Sequence, residues 1–269
     1  MGAVTTTNRR GVLRAGAGLV TGGALAGGCG GAPAASRAAG TSDSTPPPTR
    51  AAGRPTAAPR PAPAPRAFPG QPAQITHGPR TRPQVALTFH GQGDPAIATA
   101  LLTAAERHGA RLTVLAVGTW LDEHPSLARR ILDGGHDLGN HTQRHIAVND
   151  LSESEARAEI TGCADRLKRL TGSIGTWFRP SRSPAASARV VGLARAAGYP
   201  HVLSYDVDSL DYTRPGADAV TRKVLAEVRG GSVVSLHFGY PDTVAALPAV
   251  LHELDHRGLR AVTTTELLS

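Results

Sequence analysis

The alternation of two hydrophobic periods between residues 84 and 262 is what most constrains the fold of this chain. Residues 84–89 (QVALTF) form a short apolar run of strand length. Residues 95–108 follow with Ile97, Leu101, Leu102 and Ala105 at helical spacing. The pairing recurs, with strands expected at 111–117, 136–140, 176–178, 201–207, 232–237 and 259–262. Helices are expected between them at 125–132, 152–170, 185–197, 217–228 and 243–257. Ser152 and Glu155 have the spacing of a capping box and open the helix at 152. The pattern predicts an α/β fold of about seven parallel strands covered by helices, either a barrel or a doubly wound sheet. No tandem repeat of fixed period is present.

Charge divides the chain at about residue 72. The 269 residues carry 29 basic and 21 acidic side chains, a formal net charge of +8. Eight of the basic residues and one of the acidic ones lie in 1–72, so +7 of the charge sits in the tail and +1 in the body. A nearly neutral body argues against a nucleic-acid-binding surface. All 11 histidines lie in the body, where the chemistry is to be sought. Two cysteines exclude a disulfide scaffold and a cysteine-rich zinc module.

Residues 1–29 have the layout of an export signal: a basic start, then a small, mildly apolar stretch too short and glycine-rich to span a bilayer. Asn8-Arg9-Arg10-Gly11-Val12-Leu13 resembles a twin-arginine signal, and Leu25 to Cys29 resembles a lipobox in which Cys29 is lipidated. Residues 30–72 are rich in Ala, Pro, Gly, Ser and Thr, and are expected to form an extended, disordered linker before a domain at 73–269. The protein is therefore expected outside the cytoplasm, anchored to the membrane by lipid.

The predicted strands end on chemically capable side chains: His90, then His141 and His145, Arg179, Asp206 with Asp208, and His237. In a barrel such ends converge on one face. His141 and His145 stand four apart, so on one helical turn both imidazoles can reach a single divalent ion. Cys163 lies inside a predicted helix and reads as a small core residue. Gly91-Gln92-Gly93-Asp94-Pro95-Ala96 mimics a dinucleotide fingerprint. The second strand lacks the acidic residue that fingerprint needs, and Pro95 blunts the helix start.

Five segments in order complete a pattern: Thr88-Phe89-His90, His141-Thr142-Gln143-Arg144-His145, Arg179-Pro180, Asp208-Ser209-Leu210-Asp211-Tyr212 and Ser235-Leu236-His237. Over about residues 84–268 the body resembles the NodB-type polysaccharide deacetylases, metal-dependent esterases of N-acetylated glycans. The resemblance implies a distorted, incomplete (β/α) barrel with its active site at the strand C-terminal ends. It implies that His141 and His145 are metal ligands for Zn²⁺ or a similar divalent ion. By the same matching, His237 is the acid that protonates the departing amine, Asp208 orients His237, and Arg179 holds the base carboxylate.

The first motif departs from the family. Where the family has two adjacent aspartates, this chain has His90-Gly91-Gln92-Gly93-Asp94. Two assignments are open. His90 takes the base position and Asp94 reaches the metal, or His90 completes a three-histidine site with His141 and His145 and Asp94 is the base. The second is favoured, because a neighbouring Arg179 stabilises a carboxylate and disfavours a protonated imidazole. The expected activity is metal-dependent deacetylation of an N-acetylated cell-envelope glycan, with peptidoglycan the candidate from location. The alternatives are a catalytically silent glycan-binding barrel and a deacetylase or amidase of a small substrate.

Overall fold

The computed structural model describes residues 62–269; the expected export signal, Cys29 and most of the expected linker lie outside the described residues. Eight strands are present: β1 Gln74–Ile75, β2 Gln84–Gly91, β3 Thr113–Ala116, β4 Asp137–Asn140, β5 Val202–Leu203, β6 Val207–Asp208, β7 Val233–His237 and β8 Arg260–Val262. Every pairing between them is parallel. The order β6-β7-β2-β3-β4 continues through single bridges at Phe178 to β5 and then β1, while β8 lies beside the early part of β2. The result is a distorted α/β barrel.

The helices are α1 Pro95–Arg107, α2 Gly118–Glu123, α3 Ser126–Asp133, α4 Glu153–Thr171, α5 Ala188–Ala196, α6 Ala217–Glu227, α7 Pro241–His256 and α8 Thr264–Leu267. Both bonds of the Ser152–Glu155 capping box form at the start of α4. Among the described residues, no helix is long and apolar enough to cross a membrane.

Strand alternation sorts side chains between two cores. Leu87 and Phe89 of β2, with Val114 and Ala116 of β3, face the helix layer. Ala86 of β2 and Leu115 of β3 face the barrel interior with Trp177 and Leu203. Thr88 and His90 share the interior face with Ala86. His90 thus stands beside His237, its register partner on β7.

Two expectations are corrected. The strand expected at 201–207 breaks into β5 and β6, because Ser204 turns its backbone N–H to Ile75 and Asp206 turns its own to Val233. The linker expected to run to residue 72 ends earlier. Phe68 is buried and stacks on Trp177 at 5.3 Å between ring centroids. The Phe68 N–H donates to His201 Nε2 at 2.9 Å, and the other ring nitrogen of His201 donates to the Pro72 carbonyl at 2.8 Å. Backbone contacts extend the docking upstream, with the Ala62 N–H on the Thr171 carbonyl at 3.0 Å and the Ser173 hydroxyl on the Pro63 carbonyl at 2.8 Å.

A histidine-lined candidate active site

Three imidazoles converge at the C-terminal ends of β2 and β4. His90, His141 and His145 each offer a ring nitrogen, and the three atoms lie within 4.8 Å of one another. His90 ends the interior face of β2, and Ser235 Oγ lies 3.2 Å from its Nε2. His141 follows β4 directly, and its Nδ1–H donates to the Arg179 carbonyl at 3.1 Å.

The turn that carries His141 and His145 is held from several sides. Asn140 accepts the Thr142 N–H at 2.8 Å and donates to the Ile160 carbonyl at 2.9 Å. Buried Glu159 accepts both the Arg144 N–H at 2.8 Å and its Nε–H at 2.6 Å. This bracing maintains a strained backbone. All five non-glycine residues with positive φ among the described residues are Thr142, His145, Arg182, Leu210 and Arg214, and all belong to the site's segments. Such conformations persist where the surroundings over-determine them, as at functional sites.

His237 ends β7, its ring centroid 4.3 Å from that of His90. Its Nδ1–H donates to Asp211 Oδ1 at 2.6 Å, and its backbone N–H donates to Asp211 Oδ2 at 2.8 Å. Thr243 adds a hydroxyl to Asp211 Oδ2 at 2.7 Å. The pair fixes the tautomer and leaves Nε2 of His237 for the cavity. Asp208, expected in this role, is not the residue that fills it. Its Oδ1 accepts the Leu210 N–H at 3.1 Å, while its side chain lines the cavity. Residues 209–213 turn back over the strand end, with Leu210 at φ 55°, and so bring Asp211 rather than Asp208 to the imidazole. Asp206 is taken up elsewhere, in an ion pair with Arg80 at 2.8 Å.

Two further expectations are corrected. Asp94 is neither base nor ligand: it is exposed, and its carboxylate accepts the Ala96 N–H at 2.8 Å as the N-cap of α1. The glycines before it serve packing. Gly93 has φ 113°, and a Cβ there would stand 2.6 Å from Gly239 Cα. Arg179, expected to hold a base carboxylate, is fully buried and donates instead to the Leu203 carbonyl at 3.1 Å and the Ser204 carbonyl at 3.0 Å. Its Nη1 has no partner among the described residues. Burial lowers the guanidinium to about 10, with Tyr205 and Asp208 opposing that shift. The base aspartate that this arginine would pair with is the residue replaced by His90.

The electrostatics suit neutral imidazoles. Burial holds His90 and His141 well below the usual histidine range, reinforced by the other rings and Arg179. Burial, then Arg182 and His237, lowers His145 to about 4. Neutral imidazole is the form that binds a metal. The buried Nε2 of His141 has no hydrogen-bond partner while Nδ1–H is anchored on a carbonyl, the arrangement of a metal-ligating histidine. By this test the residues fit a divalent ion.

The Polysaccharide deacetylase family profile matches residues 77–202. A peptidoglycan-N-acetylglucosamine deacetylase of Bacillus cereus is 31% identical over 194 residues, covering 71% of this chain and 90% of that protein. The chain belongs to the polysaccharide deacetylase family. Deacetylases of this family are metal-dependent, and membership assigns the chain to the hydrolases of carbon–nitrogen bonds, with glycans as the substrate class. A chitooligosaccharide deacetylase of a Bradyrhizobium strain is 29% identical over 197 residues, covering 65% of this chain and 85% of its own. Among solved structures, a CE4 family pseudoenzyme from Bacillus anthracis superposes with a TM-score of 0.70 at 26% identity, covering 74% of this chain and 70% of that one. A mutant of that pseudoenzyme with restored enzymatic activity superposes with the same TM-score.

Sequence reasoning had the family signal for Asp211, since the fourth segment holds two aspartates three apart, and chose the wrong one. It had no signal for Arg182, Arg214, Tyr205 or Tyr240, which line the cleft beside Tyr212, the last residue of that fourth segment.

Proposed function

We propose that the domain removes acetyl groups from an N-acetylated cell-envelope glycan of the peptidoglycan type, using a three-histidine metal centre. One observation carries this reading. His141 Nε2 is buried and unpartnered where His90 and His145 converge, beside an imidazole oriented by a carboxylate. A divalent ion held by His90, His141 and His145, Zn²⁺ by ligand type, would polarise the acetamide carbonyl and make water a stronger nucleophile. His237 donates from Nε2 the proton that the departing amine needs, made good by the one the attacking water gives up, and Asp211 stabilises the imidazolium in between. Tyr205, Tyr212 and Tyr240 offer ring surface to a sugar. The export signal and Cys29 support a working position outside the membrane, tethered by lipid.

A second reading has its own support: a silent barrel that binds glycan. No carboxylate from β2 reaches the cavity, and Arg179 lacks the carboxylate it is placed to hold.

Metal content of the purified full chain and acetate released from N-acetylated peptidoglycan decide between them. The deacetylase reading expects bound divalent metal and acetate release, both lost in His141→Ala. Metal and glycan binding without acetate release would establish the silent barrel. Absence of both metal and glycan binding would end both readings. Release of the protein from membranes by Cys29→Ala tests the anchor; unchanged partition would refute it.

A further inference from the structure

The cleft is more cationic on one side than a neutral sugar requires. Two hollows meet at His90, His145 and His237. One, of about 630 Å³, carries Tyr205, Tyr212, Asp208 and Arg182. The other, of about 340 Å³, carries Arg182 and Arg214 and no carboxylate. Among the described residues neither arginine belongs to an ion pair.

Both arginines are placed rather than loose. Arg182 has φ 54° and Arg214 has φ 56°, left-handed conformations that a long side chain adopts only where its surroundings hold it. Arg182 donates its Nε–H to the His145 carbonyl at 3.0 Å, and Arg214 lies 5.7 Å from the Tyr240 ring centroid. Buried Arg179, with no carboxylate on its guanidinium, adds to the positive field behind them. Guanidinium groups with no internal carboxylate recognise planar carboxylates and phosphates by paired hydrogen bonds.

We infer that the glycan taken by this cleft carries an anionic substituent, a carboxylate or a phosphate, held by Arg182 and Arg214 in the smaller hollow, which Asp208 does not line. The inference rests on the glycan reading above and names the class of glycan.

Binding of three probes to the full chain tests it by titration at low salt: N-acetylglucosamine, N-acetylmuramic acid and N-acetylglucosamine 6-phosphate. An anionic sugar is expected to bind about tenfold tighter than the neutral one, with the advantage shrinking as salt rises. Preference for the muramic acid identifies a carboxylate, and preference for the phosphate ester identifies a phosphate. Arg182→Asn and Arg214→Asn, which tolerate a left-handed backbone, should each collapse the ratio of anionic to neutral affinity. Arg214→Asn also avoids disturbing the bond to the His145 carbonyl. Equal affinity for neutral and anionic sugars overturns the inference and leaves the glycan reading standing. Binding of no sugar overturns both.

Discussion

Gly91 and Ala116 lie side by side across the β2–β3 pair, so close that a Cβ at position 91 would stand 3.0 Å from Ala116 Cα and 3.0 Å from Val114 Cγ1. Position 91 therefore faces the helix layer, opposite to His90, and its backbone neighbour cannot give way. The second aspartate of the family motif cannot simply be restored here. Gly91→Asp is expected to destabilise the domain by about 1–3 kcal/mol through overpacking and to leave metal affinity no higher. Denaturant unfolding and metal titration check both. Tighter metal binding in a stable variant would show that β2 can turn its last residue inward.

The His237–Asp211 pair sets a second expectation. Asp211→Asn presents an amide N–H to His237 Nδ1 and forces the other tautomer. Acetate release should fall by about a hundred- to ten-thousandfold, with metal occupancy retained. Asp208→Asn should cost far less. Comparable losses in the two variants would mean that Asp208 also governs the imidazole.

Asp94 should prove a helix cap and nothing more. Asp94→Ala is expected to cost about 1 kcal/mol of stability, with metal content and acetate release kept. Melting curves and turnover measured on one preparation separate the roles. Lost turnover at unchanged stability would return Asp94 to the chemistry.

Stability should fall with acid from near pH 6.5, and His136 is one cause. Its Nδ1 accepts the Leu112 N–H at 3.0 Å, which requires that nitrogen unprotonated, and burial holds its pKa below the ordinary histidine value of about 6.5. The unfolded chain then takes up the proton first, so stability is full above that value and declines as pH drops. Glu106, held low by its hydrogen bond to Arg130 at 2.8 Å, extends the decline through the carboxylate range. His136→Asn keeps an acceptor without a titrating group. It should flatten the slope between pH 5.5 and 6.5 by up to about 1.4 kcal/mol per pH unit. An unchanged slope in denaturant titrations would show that His136 is not the group responsible.

Parallel strands covered by helices and the His141–His145 pair were legible in the residues alone, because each follows from short-range regularities. The choice of a barrel over a doubly wound sheet came from the family resemblance carried by the five motif segments. Strand and helix periods place apolar side chains, a capping box begins α4, and two histidines four apart share one turn. The sequence also placed His237, at the end of an apolar run. Only the tertiary structure decided what these residues meet. Asp211 reaches His237 because residues 209–213 fold back over the strand end, with Leu210 in a left-handed conformation that spacing does not announce. Asp94 is drawn to a helix N-terminus four residues past His90, and the sequence shows the carboxylate without showing that Ala96 claims it. Phe68 reads as part of a linker until Trp177, more than a hundred residues later, offers it a face. Such contacts join distant residues through chain reversals, and no local period encodes which side chain will lie on the other side.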